Sequence, residues 1–301
     1  MSGEALAVEA FAAWRADKQA EVERALGDWV SPDAPAGLGL AMRYAVLDGG
    51  KRLRPLLALA ASEAVGGDAG AAMRAACALE LIHAYSLVHD DMPCMDNDVL
   101  RRGKPTVHIE FGEAQALLAG DALQALAFEL LVPDDASMEP RLSAELCRQL
   151  ARAAGATGMA GGQAIDLASV GSTLDRAGLE NMHRCKTGAL LQASVMMGAA
   201  TGACDAHALR CLRDYGSVLG LAFQVVDDIL DVTTDSATLG KTAGKDAACD
   251  KPTFVSLMGL APAQACADDL LNQAHRSLKD SGLARTGTLH ALADWVGRRA
   301  N

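Results

Sequence analysis

Residues 209–231 read LRCLRDYGSVLGLAFQVVDDILD. Leu209, Leu212, Tyr215, Leu219, Phe223, Val226 and Leu230 recur at spacings of three and four, the packing stripe of an α-helix. Gln224, Asp227, Asp228 and Asp231 recur at the same spacings on a different face. A helix turns about 100° per residue, so Asp227 and Asp231 lie one turn apart and nearly in line. The predicted helix thus crowds three carboxylates onto one patch among Val225, Val226, Ile229 and Leu230. Burying them without a cation is costly, and like charges raise each other's pKa. A solvated face or a set of ion pairs is the plain alternative, and the apolar neighbours weigh against it. Carboxylates combined with water and phosphate oxygens are what Mg²⁺ prefers.

A second acidic stretch lies upstream, in ELIHAYSLVHDDMPCMDND at residues 80–98. On an unbroken helix Asp90 and Asp96 would face apart. Pro93 ends the helix, so the following turn can carry Asp96 back towards Asp90. A calcium loop does not fit, because Asp96-Asn97-Asp98 is followed by Val99 where the glycine should stand. Arg101, Arg102 and Lys104 follow at once.

Further basic groups punctuate the chain. Gly49-Gly50-Lys51-Arg52-Leu53-Arg54-Pro55 places cations at a glycine break just before a helix, an arrangement that suits phosphate. Lys186-Thr187-Gly188 sits in an apolar helix, and Leu239-Gly240-Lys241, Lys245 and Lys251 follow the second aspartates. Aspartates with bases beside them read as a site for a metal-bridged polyphosphate. Neither a P-loop with a preceding strand nor a G-x-S-x-G or H-E-x-x-H motif is present, which argues against nucleotide hydrolysis, an α/β-hydrolase triad and a zinc protease.

The 301 residues carry a net charge of -11, which argues against nucleic acid or an anionic membrane as partner. Half of the residues are hydrophobic and only 4% aromatic, and the alanine- and leucine-rich mixture favours helix over strand. Predicted helices cover 4–30, 40–48, the segment after Pro55, 71–91, 113–131, 139–168, 174–200, 205–232, 252–281 and 286–298. Their breaks carry Gly or Pro. No stretch alternates long enough to predict a strand. The expectation is an all-α, single-domain helical bundle over 1–301 around a central cavity. The eight cysteines show no zinc spacing and fit a reducing cytoplasm. No signal peptide and no membrane anchor are expected.

GGKRLRP, LIHAYSLVHDDMPCMDNDVLRRGKPT, GGQAIDL, CKTGALL, FQVVDDILD and LGKTAGKDAACDKPT stand in that order. In these segments the chain resembles bacterial short-chain trans-prenyltransferases, the farnesyl diphosphate synthases. The resemblance implies the isoprenoid synthase fold, a homodimer and Mg²⁺. It implies that Asp90, Asp96 and Asp227 hold the metal on an allylic prenyl diphosphate, supported by Asp91 and Asp231. Arg101, Lys186 and Lys241 would meet the same diphosphate. Lys51, Arg54, His83 and Arg102 would bind isopentenyl diphosphate, and Thr187 and Gln224 would face the allylic cation. Val99 stands where relatives often carry another Asp, and Phe254-Val255 replaces a common Tyr-Pro.

Product length is expected from the helix before Asp90. Ser86 lies one turn back, about 6 Å along the axis, with Tyr85 beside it. Large Tyr85 with small Ser86 matches the C15 pattern; a bulky residue at 86 would favour C10, and a small one at 85 would favour C20. A terpene cyclase would carry a different second metal motif and no isopentenyl site. A non-catalytic subunit of a heteromeric synthase would tend to lose aspartates.

Overall fold

The computed structural model describes residues 8–47, 49–171, 174–233 and 252–298. Helices account for most of it. They are α1 (Val8–Trp29), α2 (Leu38–Val46), α3 (Leu53–Val65), α4 (Ala69–Asp90), α5 (Val107–Phe111), α6 (Glu113–Glu129) and α7 (Pro140–Ala154). After these come α8 (Met159–Ala168), α9 (Arg176–His183), α10 (Ala189–Ala200), α11 (Ala206–Thr233), α12 (Phe254–Met258), α13 (Leu260–Asp280) and α14 (Gly287–Gly297). The all-α expectation therefore holds.

Local chemistry sets the ends. Asp68 caps α4, its Oδ1 accepting from the Ala71 amide at 2.7 Å. Pro140 opens α7 at a position where its missing N–H costs nothing. α3 stops at Gly66, which takes the left-handed conformation at φ 64°.

Three predicted helices are broken, two of them at glycines, Gly155 to Gly158 and Gly259. The 139–168 run parts between α7 and α8, and the 252–281 run parts at Gly259. Between α9 and α10 the chain widens into a π-helical turn, Arg184–Gly188. One short hairpin also forms, Leu100–Arg101 against Lys104–Pro105, through a two-residue turn with positive φ at Arg102 and Gly103. It is the exception to the expectation of no strands.

The interior follows from which faces are apolar. One buried cluster joins α2, α4, α6 and α7 through residues such as Met42, Leu79, Ile82, Leu123 and Leu146. A second joins α3, α10, α11 and α14 through Leu56, Leu191, Val195, Leu219 and Leu292. A third sets α9 and α13 against the C-terminal half of α11 around Val225, Ile229 and Phe254. Each fully buried Leu or Val side chain contributes about 1.5–3 kcal/mol. α10 lies against α3, α4, α7 and α11 and is buried on nearly every side. α4 is long and apolar enough to cross a membrane by length and composition, yet 72% of that window is buried inside the fold, so it serves here as a core helix.

Candidate active site

α4 ends at Asp90, and the chain doubles back. The Asp96 amide donates to the Asp90 carbonyl at 2.8 Å, the Asn97 amide to Met92 at 3.1 Å, and the Asp98 amide to Asp91 at 3.1 Å. Asn97 closes the turn with φ 49°. The expected return of Asp96 to Asp90 is thus observed. Burial pushes the Asp90 carboxyl up to about 6, Asp96 and Asp91 add to the rise, and Lys186 and Arg101 oppose it. Asp91 is spent locally: Arg101 clamps it, with Nε at 2.7 Å from Oδ2 and Nη2 at 2.5 Å from Oδ1. Arg101 and Asp91 therefore brace the loop against each other.

On α11 the three carboxylates separate. Asp227 is half-buried and Asp231 is buried. Asp227 supports the charge of Arg54, so this end of α11 looks across to α3. Asp228 departs from the expected shared patch. Its Oδ2 accepts from the Phe254 amide at 2.8 Å and its Oδ1 from Gln224 Nε2 at 2.9 Å. A step of one residue rotates its side chain by about 100° from Asp227, which accounts for the difference. Lys241, with Lys245 and Lys251, lies outside the described residues.

The π-helical turn supplies the next pair. Gly162 of α8 presses on it so closely that a Cβ there would lie 2.1 Å from the Lys186 amide nitrogen. The extra residue re-aims the side chains that follow. Lys186 Nζ reaches Asp166 Oδ2 at 2.6 Å, and Thr187 Oγ1 donates to Gln224 Oε1 at 3.1 Å.

Cations gather where α3 begins. Arg52 takes φ 51° and is buried, bonded to Glu23 through Nε at 2.7 Å, to Glu80 through Nη1 at 2.7 Å and to the Val46 carbonyl through Nη2 at 2.6 Å. Burial pulls its pKa down, but Glu80 and Glu23 more than restore it. Arg52 is thus a structural clasp, and its neighbours Lys51 and Arg54 are held by it. Burial brings Arg54 down to about 10, with Glu80 and Asp227 opposing and Arg102 assisting; its buried Nε makes no hydrogen bond. The Arg102 guanidinium lies over Gly50, where a Cβ would meet it at 2.9 Å, and donates to the Gly49 carbonyl at 3.0 Å. Burial, together with Arg54, Arg102, Arg101 and Arg52, holds His83 well below its ordinary value, so its imidazole is neutral. Arg54, Arg102 and His83 therefore act on one another's charge, while Lys51, next to Arg52 in the chain, is exposed.

Between α4, α8 and the π turn lies a cavity of about 370 Å³. Arg54, His83, Asp90, Lys186 and Thr187 line it together with apolar Leu87, Met159 and Leu167. Tyr85 and Ser86 line it as well. Tyr85 is buried and meets the His89 ring edge-on at 5.8 Å. Ser86 Oγ donates to its own helix, at the His83 carbonyl, 2.9 Å away. A larger groove of about 560 Å³ between α7, α10 and α11 contains neither aspartate motif.

The donor set fits Mg²⁺ completed by diphosphate. Among the described residues no three carboxylates, histidines or cysteines converge on one point. Mg²⁺ is commonly held by one or two carboxylates with phosphate oxygens and water, so paired carboxylates facing a cationic wall suffice. Asp90, Asp96 and Asp227 are the carboxylates that would hold it. Glu23, Glu80 and Asp166 were not singled out individually by the sequence. Glu80 carried a signal: a lone carboxylate in ACALELIHA on a buried helix needs a buried cation.

His183 precedes the π turn and stacks on Phe254 at 5.5 Å. Both its ring nitrogens are buried without a hydrogen-bond partner, and burial holds its pKa down at about 4, with Lys186 assisting and Asp166 opposing. The unfolded residue takes its proton at about 6.5. Its neutral form thus stabilises the fold fully above that pH, and this is lost as pH falls from about 6.5 towards 4, by about 3 kcal/mol in all. His183→Phe is expected to flatten the denaturation midpoint across that range; the same slope as the parent chain contradicts the assignment.

The sequence profile of the polyprenyl synthetase family matches residues 36–284. The chain belongs to that family, and it is a prenyltransferase of isoprenoid biosynthesis. Geranylgeranyl pyrophosphate synthase 7 of Arabidopsis thaliana, a chloroplastic protein, is 46% identical over 97% of this chain and 84% of its own length. Among solved structures, an FPP/GFPP synthase from Zymomonas mobilis is 41% identical with a TM-score of 0.84, covering 95% of this chain and 98% of that one. A geranyltransferase from Helicobacter pylori, complexed with magnesium and isoprenyl diphosphate, is 35% identical with a TM-score of 0.84, covering 95% and 97%. These neighbours share the all-α isoprenoid synthase fold.

Proposed function

We propose that this chain condenses isopentenyl diphosphate with dimethylallyl or geranyl diphosphate to give farnesyl diphosphate, C15, with Mg²⁺ as cofactor. The observation that supports the reading is one cavity lined together by Asp90, Lys186, Arg54, Tyr85 and Ser86. The bound metal would neutralise the allylic diphosphate as it leaves. Asp90, Asp96 and Asp227 would hold it there, with Asp91 and Asp231 in support. Lys186, Arg101 and Lys241 would take up remaining charge on the departing group. Lys51, Arg54, neutral His83 and Arg102 would hold isopentenyl diphosphate, whose double bond attacks the allylic cation. Thr187 and Gln224 would turn oxygen dipoles on that cation. The proton lost from the condensed product would pass to the departed diphosphate, and the apolar wall would keep water away. We further propose a single-domain homodimer in the cytoplasm. Exposed Ile109, Leu117 and Leu118 on α5 and α6 support a second copy covering that face.

A C20 product is the second reading, and the names of the plant relatives favour it over C15. Tyr85 is what supports C15, because its ring narrows the cavity beside the tail. Incubation with isopentenyl and dimethylallyl diphosphates and Mg²⁺, followed by product chromatography, decides between them. C15 as the main product is expected, and C20 as the main product overturns the role given to Tyr85. Ser86→Phe is expected to shorten the product to C10 and Tyr85→Ala to lengthen it to C20. An unchanged length in both variants removes these residues from the floor.

A further inference from the structure

We infer that Asp228, although part of the aspartate motif, is a positioning residue that fixes which end of the Gln224 amide meets Thr187 at the wall of the reaction cavity. The inference rests on the prenyl-transfer reading and adds a role for a carboxylate which that reading leaves unused.

The argument is a matter of donors and acceptors. An ionised carboxylate only accepts hydrogen bonds. The Phe254 backbone amide only donates, and it occupies Asp228 Oδ2 at 2.8 Å. Asp228 Oδ1, facing Gln224 at 2.9 Å, can then be met only by the amide N–H₂. Gln224 Oε1 is thereby turned towards Thr187, whose hydroxyl donates to it at 3.1 Å. Thr187 lines the cavity. With its proton committed to Gln224, its hydroxyl keeps only lone pairs for the cavity side. Every proton in the chain from Thr187 through Gln224 points towards the buried Asp228, and the oxygen ends point away from it. That orientation favours a developing cation. The arrangement is fixed before any substrate binds, because Asp228 is only 2% exposed and is anchored to the backbone where α12 begins.

Asp228→Asn tests this with almost no change of shape. The Phe254 amide still needs an acceptor, so the asparagine oxygen must turn to it and its N–H₂ must turn to Gln224. Gln224 then has to reverse, offering Oε1 to residue 228 and N–H₂ to Thr187. The Thr187 proton is displaced, and positive ends replace negative ones beside the cavity. The turnover number is expected to fall about 100-fold, the scale of losing one oriented dipole in a catalytic site. KM for both substrates and the half-saturating Mg²⁺ concentration are expected to stay within about threefold. Gln224→Glu in the Asp228→Asn background restores an acceptor on both sides and is expected to recover at least about a tenth of the parent rate.

A binding measurement separates this inference from the prenyl-transfer reading. The probes are an allylic diphosphate analogue with an ammonium nitrogen at the reacting carbon and its uncharged counterpart. The parent chain is expected to prefer the ammonium form, and Asp228→Asn to lose that preference with binding of the neutral form unchanged. If Asp228→Asn does not fold, Gln224→Leu replaces it, with the same loss of preference expected. Retention of the preference in the folded variant overturns the inference, as does a Mg²⁺ requirement that rises along with the loss of rate. A parent chain that binds the ammonium analogue preferentially but elongates nothing sinks the proposed function while leaving the amide orientation standing.

Discussion

Asp227→Ala is expected to lower the turnover number about a thousandfold, with the helical content of the metal-free protein retained. The rate loss follows from removing one of the carboxylates placed to hold the cation that neutralises the leaving diphosphate; loss of a single pre-organised electrostatic group is commonly worth 10²- to about 10³-fold. Burial and neighbouring carboxylates push Asp90 up to about 6, so that acidic group destabilises the metal-free fold at neutral pH. Asp90→Ala is therefore expected to behave in the same way, losing rate without losing the fold. Steady-state kinetics with saturating substrates, beside circular dichroism of the same preparations, checks both halves. A rate within about tenfold of the parent removes Asp227 from the metal site, and a collapsed fold makes it structural.

Glu80→Ala is expected to cost about 3–5 kcal/mol of stability, the scale on which removing one partner of a buried ion pair acts. Glu80 is 3% exposed and Arg52 is 3% exposed, at 2.7 Å from each other. Losing Glu80 leaves the guanidinium in the core between α3 and α4 with only Glu23 and the Val46 carbonyl to hold it. Arg52 also fixes the left-handed backbone from which Lys51 and Arg54 extend. The same variant is therefore expected to raise KM for isopentenyl diphosphate more than KM for the allylic substrate. Urea denaturation measures the first effect and two-substrate kinetics the second. A midpoint equal to that of the parent contradicts the clasp.

Much of this was legible in the sequence because the strongest signals are periodic. The 209–231 stripe gave α11, and Pro93 gave the turn that returns Asp96 to Asp90. What stayed hidden has physical causes. A π-helical turn shifts the apolar spacing by a single residue, too little to break a pattern of threes and fours, so the widening at Arg184–Gly188 shows only in the backbone. A hairpin of two residues a side is too short to alternate. Asp227 and Asp228 are adjacent in sequence and opposite in task, and only the position of the Phe254 amide tells them apart. The basic run at Lys51 to Arg54 read as one cluster, yet Arg52 turns inward to Glu23 and Glu80.

The most direct test of the central claim is product analysis of the purified chain incubated with isopentenyl diphosphate, geranyl diphosphate and Mg²⁺. The account predicts a prenyl diphosphate longer than the starter, mainly C15, whose formation stops when the metal is chelated and resumes when Mg²⁺ is restored. Folded, Mg²⁺-supplied protein that forms no product longer than geranyl diphosphate would contradict it.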